Sequence, residues 1–434
     1  MSARAYRKTL KTQSVRKNTN QVYQKKRAAE EVPSESEALL DQAIELIAER
    51  GMRGATTRAV AERASVSPGL INYHFGSHRD FLLQALGRAA EQDIANWRVR
   101  EEEFAGQELR PADLASILQA VLRDDFVAHR RLALVRWVCL LECERTGFGA
   151  EFLKRQWSAS LAFWRRLLGE AGIEPALGDA VAGAFMFIGQ GYLLNDAAIR
   201  FDPWATDLCD RLAERLLKAP LSKPGDSRWR RRAEEKARSA LDYEEPGDQT
   251  QRRIIDGAVE IIFEQGADAI THRAIAERAG VSLSSMTHHF KSREEIVVRA
   301  YRTIYHRARI NNPTFSAPPA KQSVDDFADS LLNGILLRTR EKVSEGVPLQ
   351  ELMLAASRID ALKPTAIAMF ASMGETTARV LSSFTGLRGD VDRLDAQILR
   401  ALISGVFQAA YSQTDTDLKK VVTELARAIR HFYC

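Results

Sequence analysis

Three observations predict an all-α fold for this chain of 434 residues. A stretch of 46 residues, 41–86, recurs without a gap at 256–301, and 19 of the 46 aligned positions are identical, which marks an internal duplication. Apolar residues recur at three-to-four spacing through most of the chain, between breaks at Gly and Pro. No segment alternates apolar and polar residues convincingly enough to read as a strand.

Each copy of the repeat divides into short helices. Leu39, Ala43, Ile44 and Ile47 share one helical face before Gly51, which suits a helix end. Thr56 then stands as an N-cap for a second helix reaching about Ala64, and Thr271 is its counterpart. Ser67 is placed to cap a third helix with Pro68 at its first position, and Ser282 is the equivalent residue. Two helices joined by a turn of about four residues form a helix-turn-helix, whose second helix suits the DNA major groove. On that helix Ile71 and Phe75, like Met286 and Phe290, lie four apart and are expected to be buried. Gly69, Leu70, Asn72 and Tyr73 in copy one, and Ser284, Ser285, Thr287 and His288 in copy two, are expected to face outward.

The run of Thr56, Val60-Ala61, Ala64-Ser65-Val66-Ser67 and a short helix ending Tyr73-His74-Phe75 resembles the DNA-binding region of tetracycline-repressor (TetR) family regulators, and both copies match. The resemblance covers about 46 residues per copy; the regions after each copy are similar to the family only in length and helicity. It implies a ligand-binding and dimerisation bundle after each head. It also implies a four-helix interface between the last two helices of each unit, here 179–218 against 390–432 within one molecule, the alternative being pairing between two chains. The family commonly carries a phosphate-contacting Lys three residues after the Phe, where this chain has His78 and Arg293.

In chain order, residues 1–35 form a basic arm. Nine Lys or Arg and no acid occur in residues 1–29, a composition that favours disorder. The arm reads either as a DNA-backbone contact or as a solvated tail. Head one spans 36–80 and bundle one 81–218, with helices expected to about residue 104, then two within 113–143, then 150–171, 178–199 and 204–218. A basic linker, 219–248, holds a charged stretch that suits a helix or a second phosphate-contacting arm. Head two spans 249–295 and bundle two 296–434, with helices to about 310 and at 323–343, 349–358, 365–385, 391–413 and 415–432.

Net charge is +5, and the pI near 9.0 favours an anionic partner. No apolar run suits a membrane span or a signal peptide, which reads as a cytoplasmic, nucleoid-associated protein. Four scattered cysteines exclude a secreted disulfide framework, and Cys139 and Cys143, one helical turn apart, read as core rather than as a metal or redox pair. No metal set, cofactor motif or catalytic motif is present, so no cofactor is expected and an enzyme is the weakest reading. The favoured reading is a ligand-responsive repressor that binds a double-stranded DNA operator as a covalently fused pseudo-dimer. The alternative is a helical scaffold or interaction protein with degenerate DNA binding.

The DNA-contact candidates are the outward residues together with Thr56, Ser67, His74, His78, Thr271, Ser282, His289, Lys291 and Arg293; His74 and His289 read alternatively as capping or core residues. Effector candidates in the aromatic-rich first bundle are Arg136, Trp137, Glu142, Trp164 and Phe185, suiting a largely apolar small molecule, although aromatics at this spacing also read as plain core.

If the arm neutralises phosphates, DNA affinity falls with salt at a log–log slope of about −0.9 per contact. Removing residues 1–29 is then expected to flatten that slope in a salt titration, and an unchanged slope removes the arm from the contact.

Overall fold

The protein is described by a computed structural model at residues 34–198, 204–222, 245–311, 319–341, 346–389, 391–410 and 415–434, with Glu235. The basic stretch 1–33 and nearly all of 223–244, where the charged linker helix was expected, lie outside the described residues. Among the described residues every regular element is a helix, and the one extended pairing is an isolated parallel bridge between Gln322 and Phe384. None of these helices is long and apolar enough to cross a membrane.

The first unit contains α1 (Glu35–Arg50), α2 (Thr57–Ala64), α3 (Pro68–Phe75), α4 (His78–Phe104), α5 (Leu114–Arg123), α6 (Arg130–Thr146), α7 (Ala150–Glu170), α8 (Gly178–Ala198) and α9 (Trp204–Leu217). The second contains α10 (Gln249–Gln265), α11 (His272–Ala279), α12 (Leu283–His289), α13 (Arg293–Asn311), α14 (Val324–Glu341), α15 (Gly346–Ala356), α16 (Lys363–Ser372), α17 (Glu375–Ser383), α18 (Arg393–Ala410) and α19 (Asp415–Tyr433).

Local chemistry explains the shared head. Ser34 and Glu37 form a reciprocal capping box at α1, the Ser34 hydroxyl accepting from the Glu37 N–H at 3.3 Å and the Ser34 N–H donating to Glu37 Oε2 at 2.9 Å. Thr56 and Thr271 accept from Ala59 N–H and Ala274 N–H, each at 3.1 Å, and start α2 and α11. The first two helices of each head are clasped by equivalent ion pairs, Glu49–Arg63 at 2.6 Å and Glu264–Arg278 at 2.7 Å. Gly51 (φ +76°) and Gly266 (φ +83°) end α1 and α10, a region that disfavours any side chain. From each head a long helix, α4 or α13, leads into the bundle; α4, at 27 residues, extends roughly 40 Å.

The sequence expectations differ from the structure in places. The single helix expected over 365–385 is broken into α16 and α17 at Gly374, which takes φ +105° beside the start of α18. A helical turn of five residues, Asp124–Ala128, joins α5 to α6 and buries Phe126 and Asp125. Cys139 and Cys143 are buried, and burial pushes the Cys143 thiol up to about 11, in keeping with core packing.

The two units meet along α8 and α18, with α9 and α19 flanking them. The backbones come together at a pair of glycines: a Cβ on Gly183 would lie 2.5 Å from Gly405 Cα. Around this contact Asp395, fully buried, accepts from Arg211 at 2.8 Å and from Arg215 at 2.7 Å. Arg215 also donates to Phe432 O at 3.0 Å, and Trp204 Nε1 to Gln397 Oε1 at 3.0 Å. The buried guanidinium groups of one unit are thus matched to carboxylates and carbonyls of the other. A second contact joins α6 to α15, where burial pushes the Glu144 carboxyl up to about 8.

Gly183→Leu forces a side chain into backbone that has no rotamer with which to yield. A loss of about 3 kcal/mol or more is expected in urea unfolding, at or beyond the upper end for overpacking. Gly334→Ala, in α14 with no atom near its added Cβ, is expected to be neutral or slightly stabilising in the same assay.

Candidate nucleic-acid interface

On α3, Ile71 and Phe75 turn into the head, and Phe75 packs against Phe81 of α4 with the rings tilted and their centroids 4.9 Å apart. The opposite face is open: Gly69 and Asn72 are exposed and Tyr73 is 83% exposed. Leu70 departs from expectation, being half-buried against the core. On α12, Met286 and Phe290 are buried, Ser284, Thr287 and His288 are exposed, and Ser285 is half-buried, matching Leu70. Thr287 Oγ1 donates back to Ser284 O at 3.0 Å, and the Ser282 and Ser284 hydroxyls pair at 2.9 Å, so this face is partly self-bonded.

The two third-helix caps differ. Ser282 accepts from Ser285 N–H at 3.0 Å, whereas the Ser67 hydroxyl makes no capping bond and α3 starts on Pro68 instead. His74, exposed, and His289, half-buried, take equivalent places: His74 Nε2 lies 3.5 Å from Glu35, and His289 Nδ1 lies 3.6 Å from Asp248, in each case at the start of the head's first helix.

Two further candidates, His78 and Arg293, stand at the position of the family's phosphate-contacting lysine, and both are exposed. His78 Nδ1 is 3.2 Å from Thr57 Oγ1, and partial desolvation of the ring lowers its pKa. Arg293 donates from Nε to Ile270 O at 2.7 Å and from Nη2 to Ala267 O at 2.9 Å, tying α13 to the turn after α10. Lys291 stays exposed beside it. Sequence reasoning passed over Arg58 and Arg273, exposed residues in the first turns of α2 and α11. Their signal was present, since both copies carry Arg two positions after the capping Thr.

The first bundle encloses a cavity of about 40 Å³ whose wall includes Trp97, Trp137, Trp157, Ser160 and Gln190, with Gln408 entering from α18 of the other unit. Arg136 borders it but is not a free charge: Nη1 donates to Asp93 at 2.7 Å and Nη2 to Asp125 at 2.5 Å. Of the effector candidates, only Arg136 and Trp137 line this space. Trp164 and Phe185 instead close a solid aromatic core, with ring centroids 4.8 Å apart and almost no exposure, and Glu142 faces a different cavity between the heads. The indole N–H groups of Trp137 and Trp157, the Ser160 hydroxyl and Gln190 Nε2 are all buried without a hydrogen-bond partner.

The family model for bacterial regulatory proteins of the tetR family matches residues 39–85 and, separately, residues 254–300. The chain thus carries the domain that this model describes twice, once in each unit. The chain is similar to the HTH-type transcriptional regulator BetI of Paraburkholderia phytofirmans (strain DSM 17436 / LMG 22146 / PsJN), at 35% identity over 92 residues, 21% of this chain and 44% of that one. BetI of Paraburkholderia xenovorans (strain LB400) is 34% identical over 92 residues, with the same coverage. The chain therefore spans less than half the length of these curated relatives. Among solved structures, the multidrug binding protein EbrR complexed with imidazole is 24% identical, with a TM-score of 0.30, covering 43% of this chain and 92% of that one. Both matched segments coincide with the helix-turn-helix heads and the first turns of α4 and α13.

The unequal caps predict unequal costs. Ser282→Ala is expected to destabilise the second head by about 1 kcal/mol, within the usual range for a lost N-cap, while Ser67→Ala is expected to change little. Thermal unfolding of the two variants side by side distinguishes them.

Proposed function

We propose that this chain is a sequence-specific DNA-binding transcription regulator, a ligand-responsive repressor that works as a covalently fused pseudo-dimer. The observation that carries the reading is the pair of tetR-family heads, each with an open recognition-helix face, borne on bundles joined through the α8–α18 contact. Exposed Lys291, Arg58 and Arg273, with the N-terminal ends of α2 and α11, hold phosphates, while the outward residues of α3 and α12 read base edges. The partner is a double-stranded DNA operator, and one chain supplies both heads.

The effector binds in the cavity of the first bundle. Four unpartnered groups line it, at least three of them donors, and its Arg136 is already neutralised; the space of about 40 Å³ holds only water-sized groups, so the fitting ligand is uncharged, carries several hydrogen-bond acceptors and parts the surrounding helices as it binds. Its occupancy reaches the other unit through Gln408, whose Nε2 donates to Gln190 Oε1 at 3.2 Å. Release of the operator follows from a shift between head arrangements.

The heads present unlike faces, so the preferred operator has two unlike half-sites about one helical turn apart, bound by one chain. Selection of binding sites from random DNA by the full chain tests this. Asn72→Ala is expected to relax preference in one half only, by roughly 1–3 kcal/mol for a lost bidentate adenine contact, leaving the other half unchanged. A palindromic optimum bound by two chains would replace the fused pseudo-dimer with pairing between chains.

A further inference from the structure

The two heads touch at their glycine turns, where Met52–Gly54 meets Ala267–Ala269 above a cavity of about 380 Å³ lined by both units. Each turn is tied to the opposite unit, the first directly and the second through Glu351 of its own unit. Arg358, just after α15 of unit two, donates Nη2 to Ala48 O at 3.0 Å and to Ile47 O at 3.3 Å, satisfying the last carbonyls of α1 in unit one. Arg145, at the end of α6 in unit one, pairs with Glu351, whose Oε1 accepts the Ala267 N–H at 2.9 Å in head two. Arg145 and Arg358 thus occupy corresponding ends of two corresponding helices and reach across in opposite directions.

The glycines show how close this crossing is. Any Cβ on Gly51 would collide with Asp268 of the other head, and one on Gly266 would lie 2.7 Å from Glu351 Oε1 and 3.1 Å from Arg145 Nη1. The Arg145 side chain is buried and Arg358 is half-buried. Burial lowers the pKa of Arg358, against the pull of Asp268 and Glu351, and the Arg145 side chain is 7% exposed. Charges so placed give a stiff, two-ended tie, because breaking either leaves a desolvated partner behind. Arg53 adds a looser contact across the same seam, to Gln265 Oε1 at 3.4 Å.

We infer that this crossed pair of ties, Arg358 onto the end of α1 and Arg145 through Glu351 onto the turn after α10, holds the two heads at one separation and so determines which half-site spacing the chain accepts. The link to half-site spacing rests on the proposed DNA-binding function; the ties themselves do not. Because the two ties are chemically different, the heads are loosened independently. Each is loosened by a change in the other unit.

The test uses the full chain with Cys434→Ser and spin labels at Glu62→Cys and Glu277→Cys, equivalent exposed positions on α2 and α11. Inter-label distance distributions without DNA, and hydrogen exchange at 44–56 and 262–271, are compared for the parent, Arg358→Met, Arg145→Met and the double variant, with Arg358→Lys and Arg145→Lys as milder versions should the Met variants fail to fold. Arg358→Met is expected to raise exchange at 44–56 about tenfold while 262–271 stays within about twofold, and Arg145→Met to do the reverse. The double variant is expected to broaden the distance distribution. Binding to selected DNA with the spacer between half-sites lengthened or shortened by one to three base pairs is expected to show one spacing for the parent and several within about threefold affinity for the double variant. An unchanged distance distribution, or exchange rising in the mutated unit's own head, overturns the ties. Broadened distances with an unchanged spacing preference overturn their role in spacing. If the parent selects no DNA while the crossed exchange pattern appears, the DNA-binding reading fails and the ties stand.

Discussion

Backbone-to-backbone contact between α8 and α18 is the constraint on which the rest depends. At Gly183 and Gly405 the two helices approach too closely for any side chain, and this proximity brings α9 and α19 alongside and buries Asp395 with Arg211 and Arg215. An apolar seam alone would leave the register of two such helices loosely specified. The glycine pair and the buried ion pairs act together: the first sets distance, the second sets alignment, since a buried carboxylate stranded from its guanidinium groups is strongly disfavoured.

From that seam the arrangement propagates outward. With α8 and α18 in register, α6 and α15 meet beneath the heads, and their C-terminal ends carry Arg145 and Arg358 to the opposite glycine turns. A cavity in the first bundle borders the same seam through Gln408, so a group bound among Trp137, Trp157 and Gln190 lies one hydrogen bond from the other unit. Physical continuity between cavity, seam and heads is therefore built from short, directional contacts rather than from apolar packing alone.

The duplication has been used unevenly. Both heads keep the Thr cap, the Glu–Arg clasp and the buried Phe, which are the parts a three-helix head needs in order to fold. The outward residues have diverged, from Asn72 and Tyr73 to Thr287 and His288, and so has the third-helix cap. In a single chain the two heads are free to differ, because no symmetry operator copies a change in one to the other.

By itself the sequence determined the all-helical class, the duplicated heads, the caps at Thr56 and Thr271, and the buried Ile71, Phe75, Met286 and Phe290, because each follows from contacts within a few residues or from helical spacing. It carried no signal for the commitment of Arg293 to carbonyls, for the pairing of Arg136 with Asp93 and Asp125, or for Trp164 and Phe185 closing a core instead of lining a cavity. Nor could it indicate that Gly183 meets Gly405, or that Arg145 and Arg358 cross between units. Those outcomes depend on which helices become neighbours, and so on desolvation and charge pairing between residues up to 311 positions apart. Only the packed structure decides such pairings, since the strength of a buried ion pair or a close backbone approach is set by surroundings that the local sequence does not contain.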